Sequence, residues 1–187
     1  MLVKEIEKLV EAACRESTNH FGFEAWTHHI LPVVRNAKFM AKKVGADEEI
    51  VEISALLHDY AGIKDYTLEE DHHIHSAKLA EQILKEHNYP VNKIEQVKHC
   101  ILSHRGSKIT LRLSKEAQCV ADADSIAHFY AITSLICLAF SNHKMNVDEV
   151  NKWLMQKLER SWNKSSLEAR ELINDRYEAI KLIFGGN

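Results

Sequence analysis

Asp47-Glu48-Glu49-Ile50-Val51-Glu52-Ile53-Ser54-Ala55-Leu56-Leu57-His58-Asp59 reads as one helix of the core. Asp47 is a preferred cap, and Ile50, Val51, Ile53, Ala55, Leu56 and Leu57 give an apolar body. The run then stops on a His-Asp doublet. An imidazole and a carboxylate buried side by side are costly unless their charge is paired or held by a metal. A doublet alone is a common accident, but other candidate ligands lie at wide intervals: His29 upstream, then His75, His104 and Asp124 downstream. The set holds nitrogen and oxygen only, which suits a catalytic divalent cation better than a structural zinc.

Outward from this helix the pattern stays helical. Val3, Ile6, Leu9, Val10 and Ala13 predict a first amphipathic helix, broken by Ser17 to Phe23. A second runs from about Trp26 or His29 to Val44, with Pro32 in its first turn and Gly45 as C-cap. Tyr60 to Glu70 read as a loop beside the doublet. A fourth helix spans Asp71 to about His87, and a fifth Lys93 to His104. The polar loop Arg105 to Leu113 leads to Ser114, which caps a long apolar helix holding Asp122 and Asp124. The last helices are roughly Val147 to Glu159 and Ser166 to Phe184. Ser165 and Glu168 are read as a capping box for the final one, and Gly185-Gly186 as its end.

With only two prolines and six glycines among 187 residues, and no strand alternation, repeat or linker, the expectation is an all-α single domain. We expect a helical bundle of about seven helices spanning 1–187. The formal charge of −3 offers no footprint for nucleic acid. The longest apolar stretch, Ile126 to Phe140, is interrupted by polar residues and shorter than the roughly 20 residues of a membrane span. The N-terminus carries alternating charge and no signal core. Cys14, Cys100, Cys119 and Cys137 lack C-x-x-C spacing and read as small core residues in a reducing compartment. A soluble, cytoplasmic protein is expected. A homo-oligomer stays open, since no dimer face stands out.

Among the twelve histidines, only one of His28 and His29 can face the core. His75 shares a helix face with Leu79, while His72 and His73 read as exposed. His104 closes the fifth helix, where it also fits as a complement to the helix dipole. Asp124 sits in the apolar stretch Ala121 to Ile126, where a lone charge needs a partner, although an Arg pair or a turn cap would also serve. Asp122, two residues away, points elsewhere. His20, His87, His99, His128 and His143 show no pattern.

From about Glu24 to Tyr130 the chain resembles the HD superfamily of metal-dependent hydrolases, whose pattern is H…HD…D. The pattern falls on His29 in Trp26 to Ala37, on His58-Asp59 in Ala55 to Tyr60, and on Asp124 in Asp122 to Ser125. The resemblance implies that His29, His58, Asp59 and Asp124 ligate a metal, and that His75 and His104 hold a second ion or the substrate. Two departures stand out. The acidic pair of the guanosine tetraphosphate hydrolase branch is Gly62 and Ile63 here, and the acidic residue that often follows the Asp-x-Asp motif is Ala127.

The implied chemistry is hydrolysis of a nucleotide or another small phosphorylated metabolite by metal-activated water, with Asp59 at its centre. A divalent cation (manganese, nickel, magnesium, zinc or iron, one or two per chain) would acidify bound water and neutralise phosphoryl oxygens. Lys64, in the loop after the doublet, is expected to act in catalysis and to contact phosphate, with Arg105 as a second phosphate contact; a solvated loop cation fits either equally. Two alternatives come with the family: a di-iron oxygenase and a nucleotide sensor without turnover.

Overall fold

The computed structural model describes residues 2–107 and 110–185. Among them no strand occurs, and nine helices have ten residues or more. With the short α4 (Tyr60–Lys64) added, the helices in order are α1 (Leu2–Arg15), α2 (Leu31–Val44), α3 (Glu48–Leu57), α4, α5 (His72–Glu86), α6 (Val91–Ser103), α7 (Lys115–Tyr130), α8 (Ile132–Ser141), α9 (Val147–Lys164) and α10 (Leu167–Phe184). Nine exceeds the expected seven in part because the long apolar helix breaks in two, as α7 and α8.

The caps follow the sequence closely. The Asp47 carboxylate accepts from the Glu49 and Ile50 amides and starts α3. Gly45 closes α2 at φ 67°, a left-handed conformation that glycine adopts without strain. Ser114 accepts from the Ala117 amide to start α7. At α10 the cap is Ser166, which accepts from the Ala169 amide; Ser165 instead donates to the Ser161 carbonyl. The Ser165–Glu168 capping box is therefore corrected. Gly186 and the loop residues Lys108 and Ile109 lie outside the described residues.

α7 is the axis of the molecule. Ala117 and every residue from Cys119 to Phe129 are buried, as expected for a helix with no solvated face over that stretch. α2, α3, α6, α9 and α10 pack around it, with α2 the main partner. Its alanines at 117, 121, 123 and 127 let these helices approach closely. One core joins α1 to α3, α5 to α7, α9 and α10.

Three local departures shape the site. The segment Ala25–Ile30 is a π-helical turn feeding α2, an irregularity that often marks functional positions. The supposed loop after the doublet is α4 followed by a 3₁₀ turn, Tyr66–Asp71. The apolar run from Ile126 bends by 81° between α7 and α8. No single helix among the described residues is long and apolar enough to cross a membrane. Cys14, Cys100 and Cys119 are buried free thiols, and burial pushes each up to about 12; Cys137 is exposed, contrary to expectation.

Candidate metal centre

His58 is the residue after α3, and its Nδ1 lies 2.8 Å from the Ala55 carbonyl. A carbonyl can only accept, so Nδ1 carries the proton and Nε2 is left bare in the neutral ring. His72, at the start of α5, does the same with the Glu69 carbonyl at 2.7 Å. His104, just past α6, does so with the Ile101 carbonyl at 2.6 Å. Three helix ends thus fix three tautomers, each with a lone pair facing inward.

These bare nitrogens converge on Asp59. Its Oδ2 lies 3.0 Å from His29 Nε2 and 3.2 Å from His58 Nε2. Its Oδ1 lies 3.1 Å from His72 Nε2 and 3.5 Å from His104 Nε2. His29 Nε2 and His58 Nε2 are 3.1 Å apart, and His72 Nε2 and His104 Nε2 are 3.3 Å apart. Two ring nitrogens that close repel unless a proton or a cation sits between them. The donor set therefore fits metal: His29, His58 and Asp59 form one group, and Asp59, His72 and His104 a second. Asp124 Oδ1 closes on the first group, 3.6 Å from His29 Nε2 and 4.0 Å from His58 Nε2.

Charge in the site is correspondingly skewed. Desolvation opposes ionisation of Asp59, but the surrounding imidazoles of His58 and His72 outweigh it and hold the carboxyl well below its usual range. Asp124 is held low against burial by His128, Lys164, His29 and His58. For His58, burial favours the neutral ring, yet Asp59 and Asp124 raise it to about 9. Burial dominates at His104 and lowers it to about 4.

The structure places the other expected residues as follows. His29 turns inward from the π-helical segment, whereas His28 is exposed against Thr27 Oγ1. Asp124 faces the cluster, and Asp122 turns to α10, where it accepts from the Ser166 amide and hydroxyl and from Gln118. His75 is not among the clustered residues; His72 takes the position expected of it, and His72 and His73 are both buried. Lys64 is exposed, with its ammonium 5.6 Å from the Tyr60 ring, and does not line the cavity. Arg105 does line it, with its guanidinium donating to the Glu70 carbonyl.

That cavity, of about 280 Å³, is bounded by Asp59, His72, His104, Asp124 and His128. α9, which extends past Glu159 to Lys164, adds Lys157, Arg160 and Lys164, none of which the sequence singled out. Lys164 Nζ donates to Asp124 Oδ2 at 2.5 Å and to the His104 carbonyl at 2.9 Å. His128 Nε2 lies 3.4 Å from Asp124 Oδ1. Its spacing of four from Asp124 on one apolar helix was the signal that could have found it. The Glu69 carboxylate packs over Gly62, where an added Cβ would meet Glu69 Oε2 at 2.5 Å. Gly62 thus makes room for an acid from the next turn.

Comparison with known proteins agrees with this geometry. The crystal structure of Bacillus subtilis YpgQ covers 98% of this chain and 92% of its own, with a TM-score of 0.73 at 23% identity. The same protein in complex with ADP covers 97% and 93%, with a TM-score of 0.69 at 24% identity. A predicted HD superfamily hydrolase from an uncultured Thermotogales bacterium has a TM-score of 0.63 at 22% identity over 96% of this chain and 87% of its own. An uncharacterized protein of Clostridium beijerinckii is 33% identical over 82 residues, 43% of this chain; the chain spans about half (52%) of that relative's length. The HD domain model matches residues 26–128, more than half of the chain and the stretch that carries every clustered ligand, and the chain belongs to the HD domain family.

Proposed function

We propose that the chain is a metal-dependent phosphohydrolase acting on a nucleotide or another small phosphorylated metabolite. The observation that carries this reading is the two pairs of facing ring nitrogens, His29 with His58 and His72 with His104, each pair sharing one oxygen of Asp59. His29, His58, Asp59 and Asp124 would hold one divalent ion, and Asp59, His72 and His104 a second. Such ions supply an acidified water and counter-charge for phosphoryl oxygens.

The chain's own groups prepare the rest. Backbone carbonyls of Ala55, Glu69 and Ile101 hold the imidazoles in one tautomer. Lys164 occupies the outer oxygen of Asp124, so that Oδ1 alone faces the histidines. Arg105 stands at the cavity as a phosphate contact, and Lys64 has no part in it. The ADP held by B. subtilis YpgQ, which shares this fold, supports a nucleotide as substrate. Three buried free thiols are in keeping with a cytoplasmic protein.

The test is a screen of nucleoside phosphates and sugar phosphates with manganese, magnesium and nickel. Release of phosphate or pyrophosphate should stop on chelation and return with added metal; no release with any of these ions sinks the reading. Four imidazoles around a shared carboxylate also suit a di-iron oxygenase. Bound iron with substrate-dependent oxygen uptake would favour that second reading, against which the cations of α9 argue.

A further inference from the structure

α9 lies beyond residue 128, where the family match ends, yet it builds a wall of the cavity. Lys157, Arg160 and Lys164 are spaced three, four and seven residues apart, which puts them on one face of the helix. Two of the cavity's cations already have partners: Lys164 binds Asp124 and the His104 carbonyl, and Arg105 binds the Glu70 carbonyl. Lys157 and Arg160 have no ion pair among the described residues. The Lys157 ammonium has the Trp153 ring 5.9 Å away as its neighbour. It is partly buried, and that burial, reinforced by Lys164, lowers its pKa although Asp124, Asp59 and Glu69 pull the other way. A cation held partly out of water without a direct ion pair is a cost that an incoming anion relieves.

We propose that Lys157, backed by Arg160 one turn on, binds phosphoryl oxygens of the substrate in the cavity that Asp59, His72 and His104 also line. It is then a catalytic residue supplied by α9 and not by the segment after the doublet. A lysine suits this role, since its three donors act as a point charge that follows a phosphoryl group as its geometry changes. The inference rests on the phosphohydrolase reading, whose metal centre it completes with a site for the substrate's charge.

The test is calorimetric titration of the manganese-loaded full chain with α,β-methylene ADP, which cannot be cleaved between its phosphorus atoms. Metal content is measured on the same samples. Lys157→Gln should weaken binding roughly 10- to 100-fold, as for a lost hydrogen bond to a charged group, with metal content unchanged. Lys157→Arg should retain most of the affinity, and Arg160→Gln should lose less than Lys157→Gln. Lys157→Met should melt no lower than the wild type without ligand, because it removes a cation whose burial opposes its charge and which makes no direct ion pair among the described residues. Equal affinity of wild type and Lys157→Gln, or a lower melting point for Lys157→Met, overturns the proposal. A wild type that binds the analogue through Lys157 but hydrolyses nothing overturns the phosphohydrolase reading and leaves this one standing. Hydrolysis unaffected by Lys157→Gln does the reverse.

Discussion

His72 and His75 are three residues apart on α5, and only the first reaches Asp59. Replacing His72 with Ala should cost at least about tenfold in metal affinity, since even indirect partners of metal ligands cost that much. His75→Ala should leave metal content and turnover near wild type; equal losses from both changes would refute the assignment. The error in reading this stretch has a physical origin. Periodicity shows that Asp71 to His87 is helical, but His72 and His75 lie about one turn apart on one side of it, and spacing alone does not say which stands level with the doublet. That level is set by the 3₁₀ turn before the helix, which no spacing announced. His58, Asp59 and Asp124 were legible because each stands in an apolar frame that gives a polar side chain one direction to point, whereas His29, beside His28, was placed by its resemblance to the family's first motif. His128 stands in the same frame, and its relation to Asp124 was overlooked.

At the scale of elements, caps were legible and breaks were not. Asp47, Gly45 and Ser114 act through their own backbone chemistry, so the sequence names them directly. The bend between α7 and α8 falls at Ala131, with no proline or glycine to mark it, and tertiary packing decides it. α9 runs five residues past the expected end at Glu159, and Arg160, Ser161 and Lys164 lie in that extension. A buried carboxylate is the polar tie between α7 and the start of α10: Asp122 accepts from Ser166 twice, through its amide and its hydroxyl. Asp122→Ala should cost about 1–3 kcal/mol by orphaning those donors, seen as a lower melting point. Metal content should be unchanged, because Asp122 faces away from the cluster. Loss of metal in that variant would show that α10 braces the centre.

Across the whole molecule, the all-α bundle was legible from the scarcity of breakers and from helical spacing along most of the chain. The arrangement of the bundle was not, because packing partners depend on contacts between distant residues. The clustered ligands come from the π-helical turn, the ends of α3 and α6, the start of α5 and the middle of α7. A metal bound there ties the bundle together and should stabilise it by mass action. At an ion concentration one hundred times its dissociation constant the gain is about 2.7 kcal/mol. For a chain of this size that is a melting point roughly 5–10 °C lower after chelation. Scanning calorimetry with and without chelator checks this, and coincident curves would refute a metal centre that spans the bundle.

The order in which these ligands leave the ribosome adds a last consequence. His29, His58, Asp59, His72 and His104 are all made before Asp124, and α2 has α7 as its main packing partner. The group of Asp59, His72 and His104 is complete once α6 is made, and α3, α5 and α6 pack on one another without α7. The group of His29, His58 and Asp59 lacks Asp124 until α7 emerges, and Lys164 follows forty residues later still. A growing chain therefore completes its two ligand groups in turn, the one nearer the substrate cavity's α5 and α6 wall before the one that Asp124 closes.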